Sequence, residues 1–151
     1  MYFQLKGESD FPFFLYFQLM TAYTFRKEEK LCSQKIIGEI FLSGTSFLCY
    51  PLKVVWKYEE LLTSFPAQVV FSVPKRLFKR AHDRNLLKRQ LREVYRYQKQ
   101  ELYQSLELNN RKIAVMIVYI AKEKLEFGQI EGAMAKVVAK LKKKLEPLQT
   151  I

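Results

Sequence analysis

The sequence predicts an α+β fold, a single-domain sandwich of helices against one sheet. Three observations predict it. Residues 27–42 and 129–145 repeat their apolar side chains at helical spacing and run into stop residues, Gly44 and Pro147. Residues 47–57, 66–73 and 111–121 are short, rich in Val, Ile and Phe, and bounded by turn residues. Between the last two of these runs, residues 81–102 contain neither Gly nor Pro. The order is helix, strand, strand, helix, strand, helix. A chain of 151 residues, 49% hydrophobic, can bury a real core as one domain.

Each element has its own signature. In the first helix, 27–42, Leu31, Ile36 or Ile37, Ile40 and Phe41 are the apolar positions. The first strand, 47–57, alternates Leu48, Tyr50, Leu52, Val54 and Trp56 on one face, and Pro51 inside it marks an edge or a bulge. Pro74 ends the second strand, 66–73. In 81–102, Leu87, Leu91, Val94, Tyr95 and Leu102 form one apolar stripe. Asn109-Asn110 signals a turn. The third strand, 111–121, is almost wholly apolar from 113 to 120 and is therefore central. The last helix, 129–145, turns Ile130, Met134, Val137, Val138 and Leu141 inward, and Pro147 stops it.

Charge is concentrated. Lys75, Arg76, Lys79, Arg80, Arg84, Lys88, Arg89, Arg92 and Arg96 face only Asp83 and Glu93 in the stretch 75–96, so nine cations against two carboxylates supply +7 of the net +11. Such a cluster points to a polyanion, most simply nucleic acid. Arg84, Lys88, Arg92 and Arg96 step by four along a face beside the apolar stripe, where they repel one another. A helix selected for stability alone would interleave Glu. Arg suits phosphate because its fork spans two oxygens. A solvated cationic face is the plainer alternative. Asn85, inside the run, can bond the backbone or contact RNA.

Other chemistries lack their residues. A two-metal nuclease needs clustered carboxylates, and the two Asp residues, Asp10 and Asp83, are far apart. The one His, His82, has only Asp83 beside it, about 100° around a helix, which is no ready dyad. No P-loop, Rossmann or Ser-His-Asp pattern occurs. We therefore assign no catalytic and no metal-binding residue. Cys32 and Cys49 form no CxxC motif and no disulfide framework, so a reducing cytoplasm is the default. The apolar run 11–20 is too short to span a bilayer. Lys6 is outweighed by Glu8 and Asp10, and no small-residue cleavage site follows. No membrane association is expected.

The run Arg84-Asn85-Leu86-Leu87-Lys88-Arg89-Gln90-Leu91-Arg92-Glu93 fits Arg-Asn-x-x-Lys-Arg-x-x-Arg-Glu at every fixed position. That is the signature of the protein subunit of bacterial ribonuclease P, which this sequence resembles over roughly residues 26–145. Phe41-Leu42-Ser43-Gly44-Thr45-Ser46 looks like the family's Phe-x-x-Gly-x-Ser at the end of its first helix. Val69–Val73 looks like the strand before the signature, followed as in the family by a basic pair, Lys75-Arg76. There are departures: Pro74 stands for Ser, Phe78 lies where a Gly is usual, and His82-Asp83 replaces a more apolar pair. These leave the path of residues 74–83 open.

The resemblance implies a ribonucleoprotein that cuts the 5′ leader from precursor tRNA, with the active site in the RNA subunit. It implies Mg2+ in the RNA-containing holoenzyme, none bound by the protein alone, and a protein that is a monomer by itself. Its partners would be the catalytic RNA and precursor tRNA. It also implies a left-handed β-α-β crossover, against the usual preference. By that resemblance, Lys75, Arg76, Lys79, Arg80, Arg84, Asn85, Lys88, Arg89 and Arg92 contact the catalytic RNA. A cleft of Ile37, Phe41, Lys53 and Val55 takes the single-stranded leader. Family members often carry an aromatic where Ile37 stands. Phe41 has core packing as its alternative role, and Lys53 and Lys57 have a solvent face. Lys136, Lys140, Lys142, Lys143 and Lys144 are read as a solvated face attracted nonspecifically to RNA. Family members begin close to the first helix, so residues 1–19 are read as a non-native or mis-called extension, with 20–151 the RNA-binding domain. The alternative is an aromatic tail docked on that domain. A non-catalytic RNA-binding scaffold, such as a ribosomal protein, is the main competing function. A DNA-binding regulator is weaker, because the helix offers phosphate-type cations and few base readers.

Overall fold

Alternating apolar residues build a mixed sheet whose two faces are covered unequally. The computed structural model describes residues 23–145, so the reading of 1–19 lies outside the described residues. The strands are β1 (Thr45–Cys49), β2 (Leu52–Tyr58), β3 (Ala67–Ser72) and β4 (Ile113–Tyr119), in the order β1-β2-β4-β3. The helices are α1 (Gln34–Ser43), α2 (Ala81–Gln98), α3 (Gln100–Leu108) and α4 (Phe127–Leu145). Strand β4 pairs antiparallel with β2 and parallel with β3. It is central, as its unbroken apolar run requires. The parallel connection from β3 to β4 passes through α2 and α3, which makes the β-α-β unit.

One face of the sheet carries the main core. Leu52, Val54, Trp56, Val69, Phe71, Val115 and Ile117 meet the apolar stripes of α2, α3 and α4 there. On the opposite face α1 lays Ile40 over Val55, Ala114 and Met116, with Leu31 completing a much smaller cluster. The α+β class and the layered packing therefore stand as predicted.

Three expectations are corrected. Residues 47–57 are two strands rather than one. The chain reverses at Tyr50-Pro51, a cis peptide, and β1 pairs back on β2 with Phe47 opposite Val54 and Cys49 opposite Leu52. Opposite residues share a face, so Phe47 and Cys49 join Leu52, Val54 and Trp56 inside. Leu48 and Tyr50 are instead exposed. The apparent period-2 run continued straight through a turn, where the phase inverts.

Residues 27–42 are not one helix. Lys27–Glu29 form a 3-10 turn, and Lys30 then bridges to Val69 in extended form, with Leu31 N donating to Val69 O at 3.0 Å. Helix α1 begins only at Gln34, capped by Ser33, whose Oγ accepts from Ile36 N at 3.4 Å. Within α1, Phe41 points outward rather than to the core. The basic helix also stops early, at Gln98, and α3 resumes after Lys99.

A buried ion pair links the two breaks. Glu29 and Lys99 are fully and almost fully buried and form an ion pair. Lys99 Nζ also donates to Thr24 O. Tyr103 Oη donates to the same Glu29 oxygen at 2.7 Å, and Arg26 N donates to the other at 2.6 Å. The Lys99 ammonium lies 5.0 Å from the centre of the Tyr103 ring. These contacts tie the 3-10 turn at Lys27–Glu29 to Lys99 and Tyr103. Burial pulls the Lys99 pKa below the usual lysine range, and burial raises those of Tyr95 and Tyr103.

Candidate nucleic-acid interface

The chain leaves β3 at Val73 and enters a tight turn, in which Leu77 N and Phe78 N both donate to Pro74 O. Phe78, where the expected path was open, is buried and packs on Tyr119 with ring centres 5.8 Å apart. This aromatic anchor holds the turn down and leaves Lys75, Arg76, Lys79 and Arg80 exposed. Helix α2 starts immediately after. Arg84 is half-buried, and its Nη1 donates to the carbonyls of Phe78 and Lys79, each at 2.8 Å. It therefore clamps the basic turn to the helix as well as carrying charge.

The next cations follow the helical repeat. Lys88 flanks the core stripe and is half-buried, while Asn85, Arg89 and Arg92 are exposed. Arg92 Nε donates to Lys88 O at 3.3 Å. The Asn85 side chain makes no hydrogen bond among the described residues, so its backbone-capping role is not used. None of the predicted cations from Lys75 to Arg92 forms a close ion pair with a carboxylate among the described residues, although the charge of Arg80 is felt by Asp83. The geometry is one unneutralised surface running from the end of β3 along α2.

Arg96 leaves this set. It pairs with Glu93 at 2.6 Å, stacks over Tyr97 at 4.4 Å, and donates to Tyr23 O at 2.8 Å. It secures the start of the described chain. Asp83 binds Lys124 at 2.5 Å, and that hydrogen bond holds its carboxyl below the usual range. His82 is exposed, and Asp83 is engaged by Lys124.

The proposed leader residues lie on the α1 side of the sheet. Val55 is buried beneath α1 and acts as floor rather than as a contact. A Cβ at Gly44 would fall 2.4 Å from Ile40 O and 2.8 Å from Val55 Cγ1, so only Gly lets α1 close down on that strand. Ile37 is half-buried against the same cluster. Phe41 is 68% exposed, which rules out core packing for it. Lys53, the next residue on that face of β2, is exposed and sits between Leu48 and Val118 in register. Lys57 is tied to Glu39 and Glu59, each at 3.3 Å. Exposed Leu42, Leu48 and Tyr50 extend the surface. Sequence reasoning missed them because their apolar character reads as core.

The ribonuclease P family model matches residues 25–142, which include this surface and nearly all of its supporting core. The chain belongs to the ribonuclease P protein family. The ribonuclease P protein component of Porphyromonas gingivalis is 30% identical over 115 residues, covering 76% of this chain and 84% of the relative. That of Chlorobium phaeobacteroides is 33% identical over 107 residues, covering 66% and 73%. The fold is similar to a mutant of the Staphylococcus aureus RNase P protein, with a TM-score of 0.59 at 20% identity, over 85% of this chain and 96% of that one. The Thermotoga maritima RNase P protein gives 0.58 at 18%, over 74% and 96%. The chain is thus a protein subunit of the tRNA-processing ribonucleoprotein, partnered with ribonuclease P RNA, and in this family the RNA carries the catalytic centre. Among the described residues no helix is long and apolar enough to cross a membrane. No group of three His, Cys, Asp or Glu converges among them as a metal site.

Proposed function

We propose that Lys75, Arg76, Lys79, Arg80, Arg84, Asn85, Lys88, Arg89 and Arg92 contact the catalytic RNA. Phe41 and Lys53, over Ile37 and Val55, receive the single-stranded 5′ leader of precursor tRNA. The supporting observation is the run of cations without carboxylate partners from Lys75 to Arg92. Phosphates repay their mutual repulsion and release counterions. The exposed ring of Phe41 and the ammonium of Lys53 suit base stacking and backbone tracking. Magnesium would be held by RNA phosphates. The protein would act as a monomer within the cytoplasmic holoenzyme, positioning the leader and screening phosphate repulsion, which lowers the divalent-ion requirement.

The test mixes the protein, a bacterial ribonuclease P RNA and a 5′-labelled precursor tRNA at low magnesium. Cleavage at the mature 5′ end should require both protein and RNA. A protein that binds RNA tightly but leaves cleavage unchanged would instead be a scaffold.

A further inference from the structure

Four of the lysines of α4 share one side of the helix. Residues 132–145 contain no acidic side chain, and Lys136, Lys140, Lys143 and Lys144 are all exposed within about 100° of the helix surface. Lys142 stands apart, facing Glu101 at 3.8 Å. The other four have no carboxylate partner among the described residues. Two of them converge. The ammonium groups of Lys140 and Lys144 each lie 5.8 Å from the centre of the Phe47 ring. Lys140 Nζ also donates to Leu48 O at 3.2 Å. The fold thus gathers like charges against β1, the outer strand of the sheet, and offsets their repulsion with weak cation–π attraction and one hydrogen bond to a backbone carbonyl, without a carboxylate among the described residues.

This surface is continuous with the leader face. Leu48, 54% exposed, is the register partner of Lys53. Tyr50, 63% exposed, stands at the tip of the same hairpin. The basic turn before α2 leaves the opposite edge of the sheet, at β3. A strand that enters from RNA held at the β3 edge and crosses Phe41 and Lys53 meets β1 next, and then the lysines. We infer that the β1 edge and the α4 lysine stripe bind leader nucleotides upstream of those on the sheet face, with Leu48 and Tyr50 as stacking surface and the lysines on phosphates. The inference rests on the leader-binding reading above.

The experiment uses reconstituted holoenzyme and precursor tRNAs whose leaders lengthen one nucleotide at a time. Affinity is compared between the unaltered protein and the variant Lys136→Gln, Lys140→Gln, Lys143→Gln, Lys144→Gln. The unaltered protein should gain affinity as the leader grows past the sheet face. The variant should lose that later gain, about tenfold, and its salt dependence on long leaders should flatten by roughly 0.7 for each phosphate it no longer neutralises. The corresponding four Lys→Arg changes should restore both. Lys136→Gln with Lys143→Gln, which disturbs no bond to a described residue, should show a smaller loss of the same kind and covers the case in which the fourfold variant misfolds. Equal losses for short and long leaders would overturn the inference in favour of binding to the catalytic RNA or the tRNA body. No loss, or self-association of the variant through β1, would overturn it in favour of lysines that merely guard an edge strand. If the unaltered holoenzyme shows no dependence on the leader at any length, the leader-binding reading itself fails.

Discussion

The two faces of the sheet carry similar apolar strands but are finished differently. On one, three helices seal the strands from water, and Leu87, Leu91, Leu102, Ile130 and Met134 are completely buried. On the other, the ten-residue α1 lies mainly over β2 and β4, and Phe41, Leu42, Leu48 and Lys53 remain in solvent. Complete cover makes the first face the source of stability. Partial cover makes the second a surface where exposed apolar and cationic groups remain available to a ligand. If this division is right, substitutions on the two sides should separate into stability effects and binding effects.

The largest expected effect lies in the buried ion pair that joins the start of the described chain to the helical face. Lys99→Ala leaves the Glu29 carboxylate buried without its cation and should cost about 3–5 kcal/mol in chemical unfolding. The pair also sets a pH dependence. Because the folded Lys99 has the lower pKa, the unfolded chain binds more protons in the window below 10.5, and stability from this group rises with pH there. Tyr95 and Tyr103 act oppositely. Their folded pKa values are raised, so their contribution is lost as pH climbs above about 10. Unfolding free energy measured against pH should therefore peak on the alkaline side, and Lys99→Met should abolish the rise that precedes the peak.

Next comes the sealed core. Leu91→Ala should destabilise by about 3 kcal/mol, read from denaturant midpoints. A similar loss from Phe41→Ala would break the comparison. Third, Lys88→Glu, Arg89→Glu and Arg92→Glu together should weaken binding of the catalytic RNA about a hundredfold in filter binding. Thermal stability should stay nearly constant, because none of the three has a carboxylate partner. The smallest effect should be Phe41→Ala, with affinity for leader-bearing precursor down about fivefold to tenfold as one base loses its stacking partner, and folding nearly unchanged. Affinity for mature tRNA, which has no leader, should not move.

Much of this was legible in the residues. The apolar stripe of α2 and the cations beside it lie as their spacing requires, since helical period alone decides which side chains can share a face. The uninterrupted run 113–120 marked the strand buried on both sides. The errors fell where two local patterns were compatible with one sequence. The alternation from Leu48 to Trp56 suits a straight strand as well as a hairpin, and only the pairing of Phe47 with Val54 shows that its phase inverts. At two positions only the folded chain chose between roles: Phe41, for which core packing was the alternative, is exposed, and Arg96, a cation of the basic stripe, is a structural anchor.

By itself, then, the sequence determined the layered α+β class, the central strand and the position of the basic helix. Each follows from interactions within a turn of helix or along one strand. Tertiary structure alone decided that Glu29 would meet Lys99, that Phe78 would pin the basic turn on Tyr119, and that the α4 lysines would gather at the β1 edge. These pairings join residues far apart in the chain. Their existence depends on how helices of given length cover a sheet of given order, which no local spacing encodes.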